Sequence, residues 1–183
     1  MQTQRVTHTL EAVYDSASRV LVLGTMPSPK SRELGFYYGH PQDRFWRVLA
    51  ALFGEPVPEA IEAKRALVLT HGIALWDVLA SCHIAGASDA SIKDAVPNDL
   101  GPLLAAAPIQ AVATTGAAAA RFYRQFDKPQ WPELEHVALP STSAANASMR
   151  LDDLIVAYEP LRELAAGDNL SSLDDKLAHQ QAL

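Results

Sequence analysis

One cysteine, Cys82, stands among the 183 residues. An intrachain disulfide is therefore impossible, and so is a four-cysteine zinc or iron–sulfur site. The six histidines, at 8, 40, 71, 83, 136 and 179, include no pair four residues apart, so a two-histidine zinc helix is not expected. No run of about 18 apolar residues occurs, which argues against a membrane-spanning helix. The opening MQTQRVTHTLEAVYDSAS holds no apolar signal-peptide core, so the cytoplasm is the expected compartment. Positive charge is not in excess: the net charge is −6, which taken alone disfavours a nonspecific nucleic-acid binder. The dinucleotide fingerprint GxGxxG, the phosphate-binding GxxxxGKS/T and the serine-hydrolase elbow GxSxG are all missing.

What remains is an ordinary folded chain, 49% hydrophobic and 20% charged. Its length suits one core, expected over residues 1–165, with a polar tail at 166–183. The charge is uneven. Residues 159–183 hold five acids against two bases, whereas Lys30 to Arg47 hold four bases (Lys30, Arg32, Arg44, Arg47) against two acids. The latter stretch could meet an anion or simply be a solvated face.

Arg19–Gly24 (RVLVLG) reads as a buried strand running into a tight turn. Three prolines in the following loop, 24–42, argue against helix there. Phe45, Leu49, Leu52 and Phe53 share one helical face ending near Gly54. Glu59–Leu69, Pro97–Ala106, Gly116–Phe126 and Met149–Leu164 read as further helices, the last interrupted at Pro160. Gly72–Leu75, Ile109–Thr114 and Glu135–Leu139 read as strands, and 80–98 as polar and irregular. Strands alternating with helices predict an α/β fold with a mostly parallel sheet. Ligands bind such sheets at the carboxyl ends of the strands, which directs attention to loops 24–42 and 139–148.

Three segments could carry chemistry. Gly24-Thr25-Met26-Pro27-Ser28 follows a buried strand, where glycine permits close backbone approach. Phe36-Tyr37-Tyr38-Gly39-His40-Pro41-Gln42-Asp43-Arg44-Phe45-Trp46 interleaves aromatics with bases, a pairing suited to stacking on nucleobases and neutralising phosphates. Phe45 or Trp46 also fits a core position, and Asp43 also fits a helix cap or an Arg47 partner. Leu139-Pro140-Ser141-Thr142-Ser143-Ala144-Ala145-Asn146 offers small donors after a strand, or a plain solvated turn. Cys82 reads as buried filler.

Taken together, LVLGTMPSPKSRE (21–33), YYGHPQDRFW (37–46), GIALWDVLASC (72–82), SDASI (88–92), NDL (98–100) and LPSTSAANA (139–147) resemble the uracil-DNA glycosylase superfamily, and within it the hypoxanthine (deoxyinosine) glycosylase group. The resemblance spans about residues 5–160. It implies a three-layer α/β/α sandwich around a four-stranded parallel sheet. It implies an enzyme that hydrolyses the N-glycosidic bond of a deaminated base in double-stranded DNA, with water and without metal or cofactor; a monomer is expected.

Position by position, the resemblance makes Gly24, Thr25, Met26, Pro27 and Ser28 the floor of a base pocket. Tyr38 becomes the aromatic that stacks on the flipped base, with His40 beside it. Met26 stands where several uracil-specific relatives carry a water-orienting Asp or Asn. Asp43 stands where the hypoxanthine group carries the Asn of HPQN, and is the expected catalytic group. Leu139 stands where uracil-specific enzymes often carry His. Lys30, Ser31, Arg32, Arg44, Ser141, Thr142, Ser143 and Asn146 are the expected DNA contacts. The competing readings are a non-catalytic binder of damaged or single-stranded DNA, and an unrelated hydrolase of free nucleosides.

Overall fold

A computed structural model describes residues 2–167. The polar tail expected from residue 166 lies almost wholly outside the described residues. Four strands form a parallel sheet: β2 (Val20–Gly24), β3 (Ile73–Asp77), β6 (Ala111–Thr115) and β7 (Glu135–Leu139), in the order β3-β2-β6-β7. Strand β2 is central because it can be buried on both faces. Val20 and Val22 enter one core and Leu21 and Leu23 the other, all with no exposed surface.

The first core is closed by α2 (Phe45–Phe53), α3 (Ile61–Thr70), α6 (Leu151–Ala157) and α7 (Glu159–Ala166), through Phe45, Leu49, Val68, Leu154 and Leu161. The second is closed by α4 (Gly101–Ala106) and α5 (Ala117–Phe126), through Leu103, Phe122 and Tyr123. Cys82 is buried in that second core. The sandwich of three layers and its four-stranded parallel sheet are as the sequence predicts.

Two expectations are overturned. The stretch 80–98 is not irregular: β4 (Leu79–Ala85) and β5 (Ser88–Pro97) form a hairpin, and β1 (Gln4–Thr7) pairs with β4 to make a three-stranded antiparallel sheet. Loop 24–42 is not free of helix, since α1 spans Pro29–Leu34. Proline at the first helical turn needs no amide partner. The Ser28 hydroxyl caps that turn by accepting from the Ser31 amide at 3.1 Å. The break expected near Pro160 is real: α6 ends at Ala157, capped by Tyr158, and α7 begins with proline in its first turn.

Candidate active site

The carboxyl ends of the four parallel strands, with the loops that leave them and the tip of the β4–β5 hairpin, enclose a cavity of about 660 Å³. That volume lies within the range of small-molecule sites. Among its lining residues are Gly24 to Ser28, Tyr38, His40, Asp43, Asp77, Asp89, Thr115 and Ser141 to Ala145. The topology explains the position: from β2 the chain runs to β3 on one side and later crosses back to β6 on the other, so a crevice opens at the end of β2.

Asp43 sits just ahead of α2. Its Oδ1 accepts from the Phe45 amide at 2.9 Å and from the Thr142 hydroxyl at 2.7 Å. Both bonds use one oxygen, and Oδ2 has no partner among the described residues. The carboxylate therefore steadies the first turn of the helix and still presents an acceptor. It makes no ion pair with Arg47 among the described residues. Burial raises its pKa above the ordinary carboxylate value, while those two hydrogen bonds and the nearby Arg44 and His40 pull it back.

Tyr38 stacks on Phe45, with ring centroids 3.7 Å apart and planes 11° from parallel. Its hydroxyl shares a hydrogen bond of 2.9 Å with Thr115. Burial holds the phenol proton firmly in place. The backbone of Tyr38 has φ +50°, a left-handed conformation costly for a bulky residue. Phe45, Thr115 and the bond from the Gly39 amide to the Ser31 hydroxyl (2.9 Å) keep it there.

The serine-rich loop after β7 is braced by Arg44. The Arg44 backbone amide and Nε both donate to the Thr142 carbonyl at 3.1 Å. Its terminal nitrogens donate to the carbonyls of Ser143, Asn146 and Met149. The Asn146 side chain closes the loop by donating to the Ser141 carbonyl at 2.9 Å. Ser141 Oγ accepts from the Ser143 amide and Ser143 Oγ from the Ala145 amide, each at 3.2 Å. Tyr158 supports the base of the loop, donating to the Pro140 carbonyl at 2.8 Å.

Several residues assigned to DNA from sequence are thus occupied differently. The Arg44 guanidinium is spent on loop carbonyls, and the Thr142 hydroxyl points to Asp43. Ser31 is 3% exposed and bridges Ser28 and Gly39. Lys30 is exposed and pairs with Glu33 at 2.9 Å. Arg32 lines the cavity and donates to the Pro27 carbonyl at 3.0 Å. His40 is exposed at the rim, its Nδ1 accepting from the Gln42 amide at 3.1 Å.

Three site residues were not singled out from the sequence. Asp77 ends β3, and the buried His8 donates from Nε2 to its Oδ2 at 2.8 Å. A methyl group on Gly24 would meet Asp77 Oδ1 at 2.4 Å, so glycine is required there by a neighbouring carboxylate. Asp89, on the hairpin, accepts from the Thr25 hydroxyl at 3.0 Å. A polar residue closing a buried parallel strand is a usable signal for Asp77. Nothing local marks Asp89.

The family model described as "Uracil DNA glycosylase superfamily" matches residues 12–162. A hypoxanthine DNA glycosylase from Methanosarcina acetivorans is 32% identical over 136 residues, 74% of this chain and 85% of that protein. One from Methanosarcina barkeri is 35% identical over 97 residues, 52% of this chain and 61% of that protein. A solution NMR structure from M. acetivorans, provisionally titled a uracil DNA glycosylase, superposes with a TM-score of 0.74. It is 28% identical, covering 88% of this chain and 99% of its own. By that match across most of its length, the chain belongs to the uracil DNA glycosylase superfamily.

Proposed function

We propose that the chain is a monofunctional DNA glycosylase that flips a deaminated base, hypoxanthine first, out of double-stranded DNA and hydrolyses its N-glycosidic bond. The observation that carries this reading is the convergence of Asp43, Tyr38 and the Ser141–Ser143 loop on one cavity at the sheet's carboxyl end. The two related hypoxanthine DNA glycosylases support the choice of base.

The glycosidic bond is out of reach inside a stacked duplex, so the nucleotide must leave the helix, at a cost of a few kcal/mol that is smallest for a badly paired base. In this reading the base enters against the face of Tyr38 opposite Phe45. The Ser141 and Ser143 hydroxyls, whose oxygens accept within the loop and whose protons remain to donate, hold the flanking phosphates. As the bond from C1′ to the base nitrogen breaks, its electron pair leaves with the base and the sugar becomes cation-like. The carboxylate of Asp43 stabilises that charge and takes a proton from the attacking water through its free Oδ2. In this reading His40, at the rim, hands a proton to the departing purine. No lysine falls in a motif for a Schiff base, so strand cleavage is not part of the reaction.

A panel of duplexes, each with one hypoxanthine, uracil or xanthine, tests the reading. Alkali-labile sites at hypoxanthine and none in undamaged duplex are expected. Tight binding to the same duplexes with no release of base would instead make the chain a binder of damaged DNA.

A further inference from the structure

The tip of the β4–β5 hairpin forms one wall of the cavity, and the mechanism above leaves it without a role. Asp89 is the one ionisable residue on that wall. Its Oδ2 accepts from Thr25, on the opposite loop. Its other oxygen has no hydrogen-bond partner among the described residues, and the Arg121 guanidinium acts on it only from beyond ion-pair distance. Asp77, the other carboxylate at this end of the cavity, differs: His8 already compensates it, and it is 5% exposed. The hairpin tip is itself fixed, because the Ser91 hydroxyl accepts from the Ala85 amide at 2.8 Å and donates to the Ser88 carbonyl at 2.6 Å. Asp89 is therefore a rigidly held acceptor that faces a cavity and lacks a donor.

Deamination changes the bases in one consistent way. Adenine and cytosine present a bare ring nitrogen, an acceptor, beside an exocyclic amine. Hypoxanthine and uracil present a ring N–H, a donor, beside a carbonyl. A fixed acceptor at that edge pairs with the deaminated base and opposes the lone pair of its parent. A buried group left facing a like group discriminates far more strongly than a change of shape does. We propose that Asp89 is a specificity-determining residue, its free carboxylate oxygen accepting the ring N–H that deamination creates and so rejecting adenine and cytosine. Guanine and thymine carry the same N–H, and their exclusion rests on their pairing in the duplex. The proposal rests on the glycosylase reading above.

Asp89→Asn and Thr25→Val test it. In the first, Thr25 can still donate to the side-chain carbonyl, and an amide donor replaces the free acceptor. In the second, the tether is lost and the carboxylate stays. Both are compared with the parent for thermal unfolding. Single-turnover release of hypoxanthine and of mismatched adenine is then measured for all three proteins. In parallel, affinity is measured for duplexes carrying non-hydrolysable 2′-fluoro analogues of the two nucleotides. Asp89→Asn should lower the hypoxanthine-to-adenine ratio, in release and in affinity, by roughly 10- to 100-fold, the effect of a mispaired buried hydrogen-bonding group. Thr25→Val should lower both bases together and leave the ratio unchanged. A ratio within twofold of the parent in Asp89→Asn, with its fold intact, overturns the proposal. If the parent releases no base while its affinity ratio depends on Asp89, the glycosylase reading fails and the role of Asp89 as base reader stands.

Discussion

The Thr142 hydroxyl donates to Oδ1 of Asp43 at 2.7 Å, across 99 residues of chain. This bond joins the two loops that a lesion-binding site needs, one from after β2 and one from after β7. It also bears on the charge of Asp43: burial raises the pKa most, and the Thr142 bond is among the groups that lower it. A carboxylate acting as base is active above its pKa, so the rate should fall on the acid side. Thr142→Val removes a lowering influence and should move that acid limb to higher pH. Asp43→Asn should remove the limb altogether. The pH dependence of single-turnover base release checks both, and an acid limb unmoved by Thr142→Val would separate Asp43 from it.

Arg44 is the second such bridge. A guanidinium that donates to four loop carbonyls braces the loop 142–149. Arg44→Lys cannot replace a planar fork with one ammonium. Arg44→Lys and Arg44→Ala should both lower the unfolding temperature, and their DNA affinity should fall without a change in its salt dependence. A phosphate ligand would behave otherwise: its loss leaves stability intact and reduces the salt slope by about 1.

For Tyr38, stacking and hydrogen bonding separate cleanly. Tyr38→Phe keeps the ring on Phe45 and loses the Thr115 bond. It should cost about 0.5–1.5 kcal/mol of stability and little affinity for lesion DNA. Tyr38→Ala should cost a further 1–3 kcal/mol or so of binding, the worth of one stacked base. Calorimetric unfolding and titration of hypoxanthine duplex measure the two. Equal affinity losses in both variants would assign the hydroxyl, not the ring, to the base.

Buried Asp127 and half-buried His136 give stability opposite pH dependences. Burial raises Asp127 from 3.8 to about 7. It takes up its proton more readily folded than unfolded, so its contribution is full below the unfolded value and is lost as pH rises from about 4 to 7. Burial lowers His136 from 6.5 to about 4, and its Nε2 lies 2.9 Å from the Thr114 hydroxyl. Its contribution is present above pH 6.5 and is lost as pH falls towards 4. The two slopes oppose each other in that window. Relative to the parent, Asp127→Asn should therefore remove a falling contribution between pH 4 and 7, and His136→Gln should remove a rising one between pH 4 and 6.5. Denaturant unfolding across that range reads both.

The two inner strands of the parallel sheet were legible because they are buried on both faces, so that RVLVLG and IQAVAT read as short apolar runs with no helical spacing. The hairpin was not. In β5, partly buried and exposed residues alternate without one fully buried position, and register shifts interrupt its pairing with β4. A strand with a solvated face and bulges leaves almost no periodic signal. Helix α1 was hidden by its prolines, which read as breakers although Pro29 stands where a proline starts a helix. In the site, Asp43 and Tyr38 could be found because they lie within one aromatic, basic segment. His8 and Asp89 could not be found by local reading, since each acts through a partner 64 to 69 residues away, whereas Asp77 is marked only by its place at the end of a buried strand.

The most direct measurement is single-turnover release of hypoxanthine from duplex DNA by the parent chain and by Asp43→Ala, at low salt and with both proteins shown to be folded. The parent should generate alkali-labile sites at hypoxanthine, and Asp43→Ala should do so at least about 100-fold more slowly, the low end of what a positioned acid–base group contributes. Equal rates in the two proteins would contradict the assignment and leave Asp43 as a brace for Phe45 and Thr142 alone.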